Sequence, residues 1–327
     1  MRIFSGIRAS GDKTFGNYSG GFRQYVATQE RGDAYFCIVD LHSITTAYEP
    51  EGLHEATLSL AAMLFATGLD PKRSIVFAQS HVPAHAEAAW LLSSIASVGE
   101  LRRMTQFKEK SAEQELVSAG LFSYPVLMTG DILLYATDIV PVGDDQRQHI
   151  ELARDIAERF NARFGETFRV PAGVFPDEGA RIKNLQEPER LMSTSAGSPQ
   201  GVVRLVDPPD VLRKKVKTAV TDSVREVRHA PAEKPGVSNL IEIMAVATGE
   251  PIAAIETRYD GEGYGRFKED VAEAVVGLLE PIQARYRELR ADEGELRRLL
   301  ADGAEKAREA AAPMLAAMYE RMGFVSP

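Results

Sequence analysis

The stretch Ser5-Gly6-Ile7-Arg8-Ala9-Ser10-Gly11-Asp12-Lys13-Thr14-Phe15-Gly16-Asn17-Tyr18 could handle phosphate. An apolar run leads into a glycine-containing loop, and a helical pattern is expected to begin near Gly20. Glycines let the backbone approach a ligand closely. A helix N-terminus attracts anions through its free N–H groups and its dipole. An ordinary strand-to-helix connection would use the same residue types, so the stretch alone does not decide. A second junction, Gly143-Asp144-Asp145-Gln146, precedes the amphipathic pattern of residues 149–164. There Ala153, Ile156, Ala157, Phe160 and Phe164 share one helix face. Ligand sites in open α/β sheets gather at such junctions.

Other chemistries lack their residues. His81 and His85 are four apart, but Pro83 lies between them and no third ligand completes a set, so no metal site is expected. Cys37, inside Tyr35-Phe36-Cys37-Ile38-Val39, reads as a small buried apolar group. Gly261, Gly263 and Gly265 follow no strand and miss the G-x-G-x-x-G spacing; they read as a turn between helices. Neither a Walker lysine loop nor a G-x-S-x-G elbow occurs. Ordinary NAD, P-loop kinase and serine hydrolase chemistry is therefore unsupported. Two basic stretches, Arg102, Arg103, Lys108 and Lys110, and Arg213-Lys214-Lys215 with Lys217, read first as solvated helix faces.

The elements that position these residues alternate. Residues 3–7, 35–39, 75–78 and 139–142 are short apolar runs suited to buried strands, and 53–66 and 84–98 read as helices between them. This pattern predicts an α/β domain with a mostly parallel sheet. Gly, Pro and Ser become frequent from about residue 165 to Gln200. Beyond 205 helical patterns cover 210–219, 240–248, 264–279, 281–291 and 303–321. At 327 residues about two domains are expected. The net charge of −9 argues against a generic nucleic-acid coat but leaves a specific RNA partner open. One cysteine excludes a disulfide framework, and no signal-peptide core or ~18-residue apolar run is visible. A cytoplasmic protein is expected.

Several blocks, in order, resemble one family. Thr14-Phe15-Gly16-Asn17-Tyr18 looks like the variant first signature of class I aminoacyl-tRNA synthetases. Met104-Thr105-Gln106-Phe107-Lys108-Glu109-Lys110-Ser111, Asp131-Ile132-Leu133-Leu134-Tyr135, Pro141-Val142-Gly143-Asp144-Asp145-Gln146 and His149-Ile150-Glu151-Leu152 follow at family spacing. Together they resemble the bacterial tryptophanyl-tRNA synthetase branch, from residue 3 to about 322. The resemblance implies a Rossmann-like parallel-sheet catalytic domain at 1–204 and a helical anticodon-binding domain at 205–327. It also implies a homodimer with about 100–135 at the interface, a mobile signature loop at 190–200, L-tryptophan and its tRNA as partners, and no membrane or DNA partner. ATP with Mg2+, and no dedicated protein metal site, would complete the chemistry. By the same resemblance, Arg8, Ala9, Ser10, Gly16, Asn17, Gly143, Asp144, Asp145 and Ile182 would contact ATP. Leu191, Met192, Ser193, Thr194 and Ser195, at the second signature, would contact it too. Thr14, Asn17, Lys110, Met192, Ser193 and Ser195 would serve catalysis. Asp131 would accept the indole N–H, a donor-only group that needs an acceptor. A tyrosine hydroxyl would find the same acceptor, so Asp131 alone does not fix specificity. Phe4, Gly6, Met128, Ile132, Val140 and Val142 would form a flat apolar slot, with Tyr124 and Gln146 at the α-amino group and His42 close by.

The second signature departs from the family. In place of Lys-Met-Ser-Lys-Ser the chain has Leu191-Met192-Ser193-Thr194-Ser195. One lost transition-state donor typically costs about 2.7–4 kcal/mol. Arg8, where glutamine is common in the family, Lys110, and the flanking Lys183 and Arg190 could compensate. The expected activity is tryptophan activation by ATP followed by transfer to tRNA. A divergent copy that binds tryptophan and ATP but charges tRNA poorly is the nearest alternative; a nucleotide-binding scaffold and a tyrosine ligase are more remote.

Overall fold

Four apolar runs become strands: β1 (Arg2–Ile7), β2 (Asp33–Ile38), β3 (Ser74–Ala78) and β4 (Ile139–Pro141). A fifth, β5 (Ala172–Val174), is three residues long with a central glycine, too short to leave a period in the sequence. All pairings are parallel, and the order is β3-β2-β1-β4-β5. Ile3, Phe36, Cys37, Ile38 and Phe77 are fully buried. Strands covered on both faces need such continuous apolar runs rather than alternation. The sheet is Rossmann-like, and the chain reverses its direction of progress between β1 and β4. That reversal creates a crevice at the strands' carboxyl ends.

The computed structural model describes residues 1–112, 114–175, 181–193 and 197–325. They fall into two compact units. One comprises Met1–Ser10, Ala27–Pro176 and Asp292–Pro327; the other comprises Gly11–Val26 and Asp177–Ala291. These limits differ from the 1–204 and 205–327 division, because the last helix joins the sheet unit. That helix, Glu293–Met322, starts ten residues before the expected 303, behind the Asp292 cap. It lies on β3 through a stripe of small residues: a Cβ on Gly303 would sit 1.9 Å from the Val76 carbonyl oxygen, and Ala304, Ala307 and Ala311 are buried.

In the sheet unit, Pro50–Ala66 joins β2 to β3 and Arg147–Phe164 joins β4 to β5. The helix expected at 84–98 ends at Ser93, and a new one, Val98–Arg103, starts behind a Ser97–Glu100 capping box. Ala119–Leu133 leaves no amphipathic signal because nine of its residues are buried and Pro125 interrupts it. It packs closely on Ala84–Ser93: a Cβ on Gly130 would meet Ala89 N at 3.3 Å and Ala88 Cβ at 3.4 Å. That approach brings residue 131 beside residue 85.

In the second unit the first helix begins at Phe15, not near Gly20, and widens into a π turn over Tyr18–Phe22. Pro209–Lys217, Pro235–Thr248, Ile252–Arg258 and Tyr264–Ala291 form its helical part. Residues 264–291 are one helix, where two were expected. Pro281 forfeits one helix hydrogen bond, and the carbonyl facing its ring belongs to Gly277, which has no side chain to hold it rigid. Gly261, at φ +75°, supplies the left-handed turn before this helix. The basic stretch is not a uniform solvated face. Arg213 pairs with Glu273 at 2.6 and 2.9 Å, and Lys215 turns inward to Asp207 and the Val202 carbonyl, both at 2.7 Å. Lys214 and Lys217 remain exposed. No helix among the described residues is long and apolar enough to cross a membrane.

Candidate active site

A cavity of about 240 Å³ opens in the sheet unit at the β1/β4 reversal. Phe4, Gly6 and Arg8 reach it from β1 and the turn after it, Val140 and Val142 from β4, and Met128, Asp131 and Ile132 from the 119–133 helix. Gly6 keeps the floor flat: a Cβ there would press on Val39 Cγ1 at 3.1 Å. His42, Tyr124 and Gln146 complete the group of ten residues that the resemblance assigns to tryptophan, and all ten line this one cavity. Val39, Thr45 and Gln106 also line it, although the sequence reading assigned them no place there. Gln106 carried a signal, since it lies inside the 104–111 block.

One end of the cavity holds a buried carboxylate. Asp131 is 1% exposed and accepts from Gln79 Nε2 and His85 Nδ1 at 2.6 Å each on Oδ1, with His42 Nε2 at 2.8 Å from Oδ2. Burial pushes its pKa upward, but the hydrogen bonds and charges of His42 and His85 prevail and hold it at about 2. The group is therefore an acceptor-only anion at neutral pH. His81, by contrast, is exposed on the short turn 79–81, so it does not meet His85. No group of three or more potential metal ligands occurs among the described residues.

The other end sets neutral Tyr124 and His149 beside the Lys110 ammonium. Tyr124 Oη lies 2.8 Å from His149 Nε2 and donates to Gln106 Oε1 at 3.3 Å. Lys110 Nζ donates to Gln106 Oε1 at 3.2 Å and stands over the Tyr124 ring at 5.1 Å. Burial, then Lys110, push the His149 pKa down to about 4, so its ring is neutral. Burial also lifts the Tyr124 hydroxyl to about 12 and lowers Lys110, with Arg8 adding to the latter. Gln146 donates to Asp145 Oδ2 at 2.5 Å. A wider cavity of about 780 Å³ shares Arg8, Gln106, Lys110 and Gln146 and adds Asp144 and Asp145. Gly143 precedes the short turn 144–146, and Ala9 is buried while Ser10 is exposed.

The second unit holds the two signatures. Thr14 and Asn17 form a capping box: Asn17 N donates to Thr14 Oγ1 at 3.3 Å and Thr14 N to Asn17 Oδ1 at 2.9 Å. Gly16 sits against the altered signature, where a Cβ would lie 3.4 Å from the Met192 carbonyl oxygen. Residues 182–184 and 190–192 pair through Met192 N to Ile182 O at 3.0 Å and Asn184 N to Arg190 O at 2.9 Å. Ile182 and Met192 are buried, Leu191 is exposed and Ser193 is half-buried. Thr194 and Ser195 lie outside the described residues. Arg190 pairs with Glu187 at 3.2 Å, so its charge is engaged locally.

The chain is similar to known proteins over its full length. Residues 1–280 match the family model of tRNA synthetases class I (W and Y). The tryptophan–tRNA ligase of Leifsonia xyli subsp. xyli is 53% identical over 329 residues, covering 100% of this chain and 98% of that one. The crystal structure of tryptophanyl-tRNA synthetase from Mycoplasma pneumoniae superposes with a TM-score of 0.89 at 36% identity, covering 99% and 98% of the two chains. That from Campylobacter jejuni, complexed with ADP and tryptophan, gives 0.87 at 35% identity, covering 99% and 100%. With a switch-point cavity, both signature segments and full-length relatives at this identity, the chain belongs to the class I tRNA synthetases for tryptophan and tyrosine.

Proposed function

We propose that the chain is a tryptophan–tRNA ligase. The carboxylate of tryptophan attacks the α-phosphorus of ATP, forming tryptophanyl-adenylate and releasing pyrophosphate. The acyl group then passes to a terminal ribose hydroxyl of the tRNA, releasing AMP. The observation that carries this reading is the ionised Asp131 at the closed end of a flat apolar cavity. An acceptor-only group there rewards a ring N–H and rejects side chains that bring none. A tyrosine hydroxyl also donates; relatives near 50% identity that are named tryptophan–tRNA ligases favour the indole.

No side chain has to act as a nucleophile. Tyr124 and Gln146, which line the cavity, would accept from the α-ammonium group, and Arg8 and Lys110, which line both cavities, would balance phosphate charge. Catalysis is then positioning and electrostatic stabilisation. Ala9, Ser10, Gly143, Asp144 and Asp145 of the first unit, and Gly16, Asn17, Ile182 and residues 191–195 of the second, are the proposed nucleotide contacts. Thr14 acts by holding Asn17. Mg2+ would accompany the nucleotide's phosphates.

The helical part of the second unit is the proposed anticodon-binding region, with Lys214 and Lys217 as the exposed cations of its basic stretch for the RNA backbone. A homodimer would cover apolar side chains such as Leu116, 80% exposed, and Trp90, 79% exposed. A cytoplasmic location fits this role. ATP–pyrophosphate exchange across all twenty amino acids tests the reading. Exchange with tryptophan alone, followed by charging of tRNA, is the expected result. No exchange from folded protein with Mg2+ and ATP, or exchange with tyrosine instead, would overturn it.

A further inference from the structure

The two oxygens of Asp131 have different surroundings. Oδ1 accepts from Gln79 and His85 at 2.6 Å each, which fills both of its lone-pair directions. Among the described residues Oδ2 has one partner, His42 at 2.8 Å, and so keeps one direction open. Asp131 and His42 line the cavity, whereas Gln79, His85 and Tyr135 are fully buried behind it. His85 is itself held on its far side: Nε2 lies 2.8 Å from Tyr135 Oη. Burial pushes the Tyr135 hydroxyl far above its ordinary range, so it stays protonated and can donate. In the neutral imidazole the two partners fix the tautomer. Tyr135 O–H donates to Nε2, and Nδ1–H donates to Asp131 Oδ1. The Tyr135 ring cannot swing away, because it stacks on Phe4 at 5.6 Å and on Tyr35 at 4.6 Å.

We propose that His85 is a specificity-determining positioning residue: anchored by Tyr135, it ties down Asp131 Oδ1 so that Oδ2 alone is presented to the ring N–H of the substrate. The inference rests on the tryptophan reading above and deepens it. It assigns a purpose to a histidine whose sequence spacing suggested only a failed metal pair. Gln79 shares Oδ1, but only His85 links that oxygen to a stacked, immobile ring.

The test compares tryptophan with β-(3-benzothienyl)alanine, which has the same shape and carries sulfur in place of the ring N–H. Pyrophosphate exchange gives kcat/KM for each with the full chain. The parent should prefer tryptophan strongly. His85→Leu should lower kcat/KM for tryptophan about 10–100-fold, mainly through KM, while the thienyl analogue changes less than about threefold. His85→Asn, whose side-chain amide can replace the Nδ1 donor, should keep the preference within about fivefold of the parent. Equal losses for both substrates in His85→Leu, or an unchanged preference, would overturn the proposal. Should the leucine variant not fold, isosteric Tyr135→Phe decides: a preference reduced several-fold supports the proposal, and an unchanged one overturns it. Absence of exchange with tryptophan in the parent would remove the ligase reading first, and this inference with it.

Discussion

At one end of the cavity a carboxylate is almost wholly buried and stays charged; at the other a histidine is equally buried and stays neutral. The difference lies in the company each keeps. Asp131 is met by three donors, two of them histidines, whereas the charge that acts most on His149 is the ammonium of Lys110. Burial opposes ionisation in both, and only Asp131 has partners that outweigh it. On the proposed reading the cavity would offer an anion to a ring N–H, and neutral oxygens beside a cation at the reacting end. A zwitterionic amino acid with an indole side chain matches that order.

The largest effect should come from breaking the anionic end. Asp131→Asn preserves shape but turns an acceptor into an amide that can present N–H to N–H. Tryptophan-dependent exchange should fall about a thousandfold, roughly 4 kcal/mol of transition-state stabilisation. An effect below tenfold would mean that the indole does not meet this group.

The opposite end makes a prediction about acid. His149 has its pKa lowered from 6.5 to about 4 in the folded protein. Between those values the unfolded chain binds the proton and the folded chain does not. Stability therefore falls as pH drops from about 6.5 to 4, by an amount on the order of 3 kcal/mol. Asp131 behaves differently: its contribution is intact above pH 3.8 and is lost only as pH falls toward about 2. His149→Gln keeps a partner for Tyr124 without a titrating ring. Urea unfolding of that variant should lose most of the parent's slope between pH 6.5 and 4; an unchanged slope would place the neutral histidine elsewhere.

This contrast also marks what a sequence can reveal. Asp131 stood out through the resemblance of its block to the family, and its apolar neighbours in the chain, residues 125–128 and 132–134, suit its burial. Its charge state could not be read, since its three partners lie 89, 46 and 52 residues away on other elements. The strands were legible as runs of consecutive apolar residues, but the 119–133 helix that carries Asp131 was not, being buried on several sides and interrupted by Pro125. The basic stretch at 213–217 shows the same limit. Residue types announced cations, while Glu273, 60 residues on, and Asp207 decide which of them remain available.

A smaller effect should follow from Lys110→Met. The ammonium lies beside Gln106 and the Tyr124 ring, which the proposed reading makes the reacting end. We expect kcat for exchange to fall about a hundredfold, with KM for tryptophan within about threefold. A rise in KM without loss of kcat would make Lys110 a ground-state contact.

The smallest effect concerns the charge that the second signature has lost. Arg190 cannot simply replace it, because it is paired with Glu187, and Leu191 stands exposed where the family has lysine. Arg8 borders both cavities and donates to Thr46 Oγ1 through Nη2 at 3.0 Å. A guanidinium can grip two phosphate oxygens at once, which the glutamine common in the family cannot. Arg8→Gln should therefore lower exchange about tenfold, appearing in KM for ATP and kcat but not in KM for tryptophan. Placing lysine back at position 191 in that background should recover most of the loss, since the two cations would serve the same phosphates. If Arg8→Gln leaves exchange unaffected, Arg8 does not compensate, and the missing charge falls to Lys110 or Lys183.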